Sequence, residues 1–386
     1  MSGALLLVAL AAALAAGPAA AGQAGAELVV FFLDVGQGDA TLLQGPDFTI
    51  LIDAGRHDRA DVVPYLEAAG VKAIDLFIGT HAHSDHIGQC AAVMGRFPVK
   101  EVWLPGHVHT SLTFERCLDA ILDSDAGYHE PRAGEAFQVG SARVEVVHPA
   151  SATGDLNNDS IAVRILYGDV VLLFTGDAEA PAEAAMVERG LPLSAHVLHM
   201  GHHGSRTSST APFLAAVAPE VAIYSAGAGN SYGHPHPEAL ARVAAAGAMV
   251  YGTDVHGTVR VTTDGRRYTV VPERGEPAAG PRSRGPVAES AMPAAPAHWA
   301  SEGDEPAAPG GPGLCGPGQV DINSAPAAEL TRIVHIGPAL AERVIALRPF
   351  ASVADLLRVP GIGPARLAAI EDQGLACAAA LSPTAD

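Results

Sequence analysis

The strongest chemical signal in the 386-residue sequence is an H-x-H-x-D-H run that directly follows an apolar stretch. His81 and His83 lie two residues apart, so an extended backbone points both imidazoles toward one metal ion. Asp85 and His86 follow closely and can turn toward a second ion. Imidazole and carboxylate groups suit Zn²⁺, Mn²⁺ or Fe. The run therefore predicts a site for two metal ions.

One run of four ligands cannot complete two metal sites, so further ligands must come from other strand ends. Each such residue is a weak signal alone, because a single polar residue at a strand end is often structural, but their joint order along the chain is strong. The candidates are Asp177 in VVLLFTGD, His202 and His203 in HMGHHGS, Asn157 and Asn158 in NNDS, and His234 and His236 in YGHPHPE.

Two adjacent divalent cations would lower the pKa of a bound water molecule and attract a phosphate group. They would also stabilise the negative charge that develops on the phosphate oxygens, while Asp85 or a neighbouring histidine moves a proton. Phosphodiester hydrolysis fits this chemistry. The same site would also permit hydrolysis of a lactone, a thioester or a phosphorylcholine ester.

The stretches that must position these residues alternate between strand-like and helix-like patterns over residues 27–272, which predicts a layered α/β domain. The predicted strands are LVVFFLDV (28–35), FTILIDAG (48–55), AIDLFIGT (73–80), ARVEVVHP (142–149), IAVRILYG (161–168), VVLLFTGD (170–177) and a hairpin at 257–270. The predicted helices are RADVVPYLEAAG, SLTFERCLDAILDS, APAEAAMVERG and PEALARVAAAG.

The rest of the chain has a different composition. Residues 273–318 are rich in Pro, Gly, Ala and Ser without apolar periodicity, which predicts a linker. Residues 319–380 are helical in pattern and form a second, smaller domain. The formal net charge is −19, which argues against holding nucleic acid by bulk electrostatics, whereas 17 histidines favour metal chemistry.

The N-terminus and the cysteines indicate export. Residues 4–16 form an apolar run too short to span a bilayer, followed by an A-x-A pattern, so residues 1–21 are predicted to be a signal peptide. An uncleaved short anchor is the alternative, because the segment before the run carries no Lys or Arg. The two pairs Cys90–Cys117 and Cys315–Cys377 are the preferred disulfides, with four free thiols as the alternative. The mature chain is expected to be secreted or periplasmic, without stable membrane insertion.

The ordered motifs resemble the metallo-β-lactamase superfamily. FFLDVGQGDATLL, ILIDAG, NNDSIAVRILYGDVVLLFTGD, GHHGS and YGHPHPE are similar to the β-lactamase-like domain of ComEC-type competence proteins, over roughly residues 28–270. The resemblance implies an αββα sandwich with a binuclear metal site at one edge, which would take two divalent ions, Zn²⁺ or Mn²⁺.

Carried over to this sequence, the resemblance implies a role for each motif residue. His81, His83 and Asp177 would hold the first metal, and Asp85, His86, Asp177 and His202 the second. Asp53 would orient the metal-binding loop, and Asn158 (or Asn157) stands where the superfamily often has a further histidine. The catalytic candidates are Asp85, His203 and His234, the histidines binding an anionic substrate. Asp34, Gln37 and Asp39 resemble residues near the site, with loop structure as their alternative role.

The C-terminal domain contains two helix–IGP–helix units, Ile336-Gly337-Pro338 and Gly361-Ile362-Gly363-Pro364. They resemble the helix-hairpin-helix modules of ComEA-type proteins, which implies that Gly337, Gly361, Ile362 and Gly363 bind DNA phosphates. Glycine allows backbone amides at a helix start to approach a phosphate closely, so such binding is independent of DNA sequence. In the first unit His335 replaces a glycine. A helical module for protein–protein contacts is the alternative.

Together these patterns predict a secreted, metal-dependent hydrolase of phosphodiesters, an extracellular DNase or DNA-processing enzyme with a DNA-binding tail. Two alternatives stay open at this point. One is a metallo-hydrolase of small phosphoesters such as phosphorylcholine esters. The other is a non-catalytic DNA-binding protein that acts in uptake or biofilm.

Overall fold

The computed structural model describes residues 27–106, 109–277, 315–316, 318–336, 338–359, 362 and 364–379. The predicted signal peptide and most of the predicted linker lie outside these residues, as do Gly337, Gly361 and Gly363.

Short apolar segments bounded by turn residues form the strands of the large domain. They are β1 (Leu28–Phe32), β2 (Thr41–Gln44), β3 (Thr49–Ile52), β4 (Leu76–Ile78), β5 (Glu101–Trp103), β6 (Gly127–His129), β7 (Ala136–Val139), β8 (Ala142–His148), β9 (Ala162–Tyr167), β10 (Val170–Phe174), β11 (Val197–His199), β12 (Val221–Tyr224), β13 (Met249–Gly252), β14 (Val259–Thr263) and β15 (Tyr268–Pro272).

Helices connect these strands. They are α1 (Val62–Ala68), α2 (Cys90–Arg96), α3 (Leu112–Leu122), α4 (Ala180–Arg189), α5 (Ala211–Val217), α6 (Pro237–Ala245) and α7 (Thr253–His256). Their ends follow capping chemistry: the Ser111 side chain accepts a hydrogen bond from the Phe114 amide at the start of α3, and α4 ends at Gly190 in a left-handed conformation.

The described strands of this domain form two sheets that pack face to face. One has the order β15-β14-β1-β2-β3-β4-β5-β6 and the other the order β13-β12-β11-β10-β9-β8-β7. A large apolar cluster fills the space between them. A second cluster lies between the first sheet and α1–α3, and a third between the second sheet and the helices α4–α6. The predicted αββα sandwich is therefore confirmed.

The sheet topology brings the predicted ligands to one edge. Strands β3 and β4 are parallel neighbours in the first sheet, and β10, β11 and β12 are parallel neighbours in the second. Asp53 follows β3, the H-x-H-x-D-H run follows β4, and Asp177 follows β10. Because parallel strands end at the same edge, residues distant in sequence become neighbours there.

The C-terminal domain has its own small core. Its elements are β16 (Val320–Asp321), α8 (Ala327–Leu330), α9 (Pro338–Ala346), a 3₁₀ helix (Val353–Arg358), α10 (Pro364–Gln373) and β17 (Ala376–Cys377). The expected all-helical domain thus also contains a two-stranded parallel ladder, β16 with β17, which joins its two ends.

The C-terminal domain is docked on α3 of the large domain. Leu122 of α3 belongs to the apolar core of the small domain. The Arg343 guanidinium donates to the Ser124 carbonyl at 3.2 Å, and the buried Arg366 guanidinium lies 5.7 Å from the centre of the Phe114 ring. These contacts hold the small domain against the large one.

Both preferred disulfides form, and they account for all four cysteines. Cys90–Cys117 joins α2 to α3 within the large domain. Cys315–Cys377 closes a loop of 62 residues around the small domain. A small domain gains much from such a cross-link, since its apolar core is limited.

Within the described residues, no helix combines the length and the apolar character that a bilayer crossing requires.

We expect the double variant Cys315→Ser/Cys377→Ser to lower the free energy of unfolding of the small domain by about 2–4 kcal/mol, because the open chain gains conformational entropy. Both residues are only half-buried, so the change leaves little cavity. Guanidinium unfolding followed by circular dichroism measures the shift. The native chain is also unfolded with and without a reducing agent. If the double variant unfolds at the native midpoint, and reduction does not shift the native midpoint either, this cross-link does not stabilise the domain.

Candidate metal centre

Asp53 is the anchor of the metal-binding loop. Its carboxylate accepts hydrogen bonds from the Thr80 amide and the Thr80 hydroxyl, both at 2.8 Å. It also pairs with His86 Nδ1 at 2.8 Å. With its proton held on Nδ1 by Asp53, His86 presents the lone pair of Nε2 to the site. These contacts fix the loop relative to the end of β3.

The first group of candidate metal ligands is His81, His83 and Asp177. His81 Nε2 lies 3.5 Å from Asp177 Oδ2 and 2.9 Å from His83 Nδ1. His81 is fully buried, whereas His83 is only partly buried and lines a cavity of about 290 Å³ that opens at the site. The structure thus brings together the three residues predicted to hold the first metal.

The second group of candidate ligands is Asp39, His86, Asp177 and His203. His86 Nε2 lies 3.2 Å from Asp177 Oδ1, and His203 Nε2 lies 3.8 Å from the same oxygen. Asp85 joins them, since its Oδ2 is 3.4 Å from His203 Nε2. The group contains His203, whereas the sequence favoured His202.

The Asp177 carboxylate serves both groups, one oxygen to each. Oδ1 faces His86 and His203, as given above, and Oδ2 faces His81. His202 Nε2 is also on the Oδ2 side, at 3.7 Å. A carboxylate whose two oxygens point into two sets of imidazoles is arranged to bridge two cations.

Five buried atoms of the second group have no hydrogen-bond partner among the described residues: His86 Nε2, His203 Nε2, Asp177 Oδ1 and both carboxylate oxygens of Asp39. Leaving a buried polar atom unpaired costs about 1–3 kcal/mol. His86 Nε2 and His203 Nε2 face Asp177 Oδ1, the Asp39 carboxylate belongs to the same group, and a cation would satisfy these atoms together. The donor set therefore fits a divalent metal ion.

The charges of the cluster support the same fit. Burial by itself raises the pKa of Asp177, but the charges of His86, His203 and His81 hold it well below its ordinary range. Burial by itself lowers the pKa of His203, but the charges of Asp177 and Asp39 raise it to about 9. Buried carboxylates that stay ionised need compensating positive charge, and metal ions supply it.

His202 and His234 lie at the rim of the cavity. His202 Nδ1 pairs with Glu179 Oε1 at 2.9 Å, and that oxygen also accepts from the Thr207 hydroxyl at 2.8 Å. Burial and the charges of neighbouring histidines lower the pKa of His234 to about 4, so this ring is neutral at pH 7. Gln37 Nε2 lies 3.5 Å from His234 Nδ1.

His203 itself is turned inward. Its Nδ1 is 2.9 Å from the Ser225 carbonyl oxygen, and its Nε2 faces Asp85 and Asp177, as described above. Only 2% of the residue is exposed. Both ring nitrogens therefore face protein atoms, which suits a ligand better than a substrate contact.

The asparagines occupy other environments. Asn158 Oδ1 accepts from the amides of Glu179 and Ala182 at the start of α4, at 3.2 and 3.4 Å. Its Nδ2 donates to Asp155. Asn157 Oδ1 is buried without a hydrogen-bond partner among the described residues. Asn158 thus caps a helix beside the site.

Sequence reasoning missed several residues that support the site. Thr80 links Asp53 to the loop, Glu179 orients His202, and His199 at the end of β11 lies 3.3 Å from Asp39. Asp39 is also tied to the metal loop, since its amide donates to the Asp85 carbonyl at 3.0 Å. His199 could have been found as a polar residue that ends a strand, whereas Asp39 was already named from the DVGQGDA motif as a residue near the site.

Among the predicted DNA-binding residues, Ile362 lies within the described part. Its side chain is buried in the core of the small domain, and its amide donates to the Val359 carbonyl. Any phosphate contact of this hairpin must therefore come from other backbone groups.

Comparison with known proteins matches the chain to two family models. Residues 33–228 match the metallo-beta-lactamase superfamily, and residues 317–373 match the helix-hairpin-helix motif.

Three curated proteins are informative relatives. ComE operon protein 3 of Bacillus subtilis is 30% identical over 251 residues, covering 60% of this chain and 32% of that protein. Competence protein ComA of Neisseria gonorrhoeae is 32% identical over 238 residues, covering 61% and 32%. A deoxyribonuclease of Thioalkalivibrio is 45% identical over 60 residues, covering 16% and 17%. The chain spans about a third of the length of the two competence proteins.

The paired sheets, the H-x-H-x-D-H loop at their common edge and the family match over more than half of the residues lead to one assignment. The chain belongs to the metallo-β-lactamase superfamily and carries a helix-hairpin-helix motif in its C-terminal domain.

Proposed function

We propose that the chain is a secreted, metal-dependent phosphodiesterase, an extracellular DNase or DNA-processing enzyme. The observation that supports this most directly is the Asp177 carboxylate, whose two oxygens face two separate sets of imidazoles. The helix-hairpin-helix motif in the C-terminal domain favours DNA as the substrate. Relatives named as competence proteins and as a deoxyribonuclease also support DNA as the substrate.

The ligand assignment follows the two groups of the site. His81, His83 and Asp177 Oδ2 would hold the first ion. Asp39, His86, His203 and Asp177 Oδ1 would hold the second, with Asp85 beside His203 as a further carboxylate. Zn²⁺ and Mn²⁺ are the fitting ions. When bound, two divalent ions supply Lewis acidity toward a phosphate ester and lower the pKa of water.

The protein's own side chains at the rim handle substrate and protons. His202 is held by Glu179 on Nδ1, which leaves Nε2 available at the cavity to accept or return a proton. Neutral His234 lies at the mouth and offers a hydrogen bond to a phosphate oxygen without being repelled by the cations. Asp85 Oδ2 lies 3.4 Å from His203 Nε2 and would help to orient that ring.

The C-terminal domain would hold DNA beside the metal centre, without reading its sequence. Its contacts to α3 give it a fixed position, so bound DNA would be presented to the large domain in one orientation. Such linkage raises the local substrate concentration without a tight single site.

Export is part of the proposal. The apolar run at residues 4–16 with its A-x-A pattern supports a signal peptide. The two disulfides support an oxidising compartment, extracellular or periplasmic.

We expect Asp53→Asn to weaken metal binding about 10- to 100-fold, because an amide cannot accept from both Thr80 and His86 as the carboxylate does. Competition with a metal-sensitive dye measures the affinity. Asp75→Asn is the matched control: Asp75 accepts from the Thr49 amide in the same sheet, away from the cluster. Equal affinities in the two variants would contradict the anchoring role of Asp53.

The ligand choice between adjacent histidines is testable by metal stoichiometry. We expect His203→Ala to retain about one ion per chain, because the second group loses an imidazole, and His202→Ala to retain two. Elemental analysis after dialysis gives the ratio of metal to protein. The reverse result would assign His202 to the second ion.

Nuclease activity tests the proposed reaction itself. The purified chain loaded with Mn²⁺ or Zn²⁺ should cleave plasmid DNA, and His83→Ala should lower the rate by about 100-fold or more, since Lewis-acid catalysis contributes several kcal/mol. Bis(p-nitrophenyl) phosphate is assayed in parallel. Cleavage of the small ester alone would indicate a hydrolase of small phosphoesters, and DNA binding with neither metal nor cleavage would indicate a non-catalytic protein.

A further inference from the structure

A second groove, of about 490 Å³, adjoins the cavity of the metal centre. Gln37 and Tyr232 line both spaces, so the groove continues directly from the site. Its other walls include Arg56, Arg59 and Asn230. The groove therefore combines two cations, the Asp34 carboxylate and the rings of Tyr65 and Tyr232, in a domain that is acidic overall. Neither arginine and neither tyrosine belongs to the metal cluster.

The two arginines lie against the loop of the DVGQGDA motif. They contact this loop at Gly36 and Gly38, where a larger residue would clash. A Cβ at Gly38 would lie 3.1 Å from Arg56 Cγ and 2.5 Å from the Asp85 carbonyl oxygen. A Cβ at Gly36, which has φ +73°, would lie 2.8 Å from an Arg59 guanidinium nitrogen. The motif thus gives the Arg59 guanidinium and the aliphatic part of Arg56 room beside the metal-binding loop.

The guanidinium of Arg56 interacts electrostatically with Asp85 of the metal-binding loop. A hydrogen bond to Asp58 is the main cause that raises its pKa, and the charges of Asp58 and Asp85 add to it. Both arginines form exposed ion pairs, Arg56 with Asp58 and Arg59 with Asp61. Exposed pairs of this kind contribute about 0–1 kcal/mol, so a phosphate can compete for either guanidinium.

Tyr232 forms an exposed aromatic platform. The residue is 65% exposed, and its ring lies nearly parallel to the His234 ring, with centroids 5.8 Å apart and planes at 19°. Asn230 fixes this loop, because its Oδ1 accepts from the amides of Tyr232 and His234, both at 3.1 Å. Its Nδ2 donates to the Gly227 carbonyl. An exposed ring on a rigid loop beside cations suits base stacking.

Gln37 lies on the DVGQGDA loop and contacts the loop that carries Tyr232. Its side-chain oxygen accepts from the Gly227 amide at 3.1 Å, and its amide group reaches His234. These contacts join the DVGQGDA loop to the loop that carries Tyr232.

We propose that this groove binds the nucleotide next to the scissile phosphodiester of a single DNA strand, with its base on Tyr232 and its phosphate at Arg56 and Arg59. The proposal rests on the proposed nuclease function and adds a preference for single strands. A paired base is covered by its neighbours in a duplex and cannot lie on the tyrosine ring, whereas a base in a single strand is free to do so.

The first test measures binding of a labelled oligothymidylate to the full chain in EDTA by fluorescence anisotropy, so that no cleavage occurs. Tyr232→Ala is expected to weaken single-strand binding about 5- to 100-fold, while Tyr232→Phe, which keeps the ring, stays within about 2-fold of the native chain. A duplex of the same length is the second probe. Loss of affinity for both probes would indicate general disruption and overturn the stacking role.

The arginines are tested by salt dependence. Arg56→Gln is expected to reduce the slope of log Kd against log salt by about 0.7, the value for one phosphate contact on a single strand. Arg96→Gln is the matched control, because Arg96 of α2 also forms an exposed ion pair, with Glu67 of α1, and does not line the groove. Equal slopes in the two variants would overturn the phosphate contact at Arg56.

Cleavage assays separate this proposal from the proposed function. With metal present, the ratio of kcat/KM for oligothymidylate to that for bis(p-nitrophenyl) phosphate should fall at least about 5-fold in Tyr232→Ala. If the native chain cleaves neither substrate, the nuclease function fails while the binding data still decide the groove. If it cleaves both and the ratio is unchanged in Tyr232→Ala, the groove proposal alone is overturned.

Discussion

The carboxylate of Asp177 links the two sheets of the sandwich through its contacts with histidines of the metal-binding loop. It comes from the second sheet, yet its oxygens face His81 and His86 from the first sheet. A buried carboxylate in this position needs positive charge, and a divalent ion on each side would supply it. The acidity of the domain is thus compatible with an enzyme that acts on an anion, because the positive charge is introduced as metal.

A continuous series of contacts connects this centre to the C-terminal domain. Helix α2 begins four residues after His86, and the Cys90–Cys117 disulfide joins it to α3. Helix α3 then carries Leu122 into the core of the small domain and places Phe114 beneath Arg366. The position of the proposed DNA-binding domain is therefore set by the same helices that support the metal-binding loop.

The longer strands were predictable because several consecutive apolar residues were bounded by turn residues, as in β8, β9 and β10. Strands of three residues, such as β5 and β6, were missed because so short a segment has no detectable period. Predicted strands also extended too far at their ends. Asp53 and Asp177 were included in strand patterns, although both lie in the loops that follow.

The sequence alone determined the metal-binding loop, since the spacing of His81, His83, Asp85 and His86 is local and places four ligands within six residues. It also indicated Asp177 and both disulfide pairs. It did not separate His202 from His203, because the two histidines are adjacent and of the same type. Both adopt positive φ values in the fold, and only the fold shows which ring turns inward. Arg56 and Tyr232 became neighbours of the site through folding alone, because the loops that carry them are more than 170 residues apart in the chain and meet only where the two sheets bring their edges together.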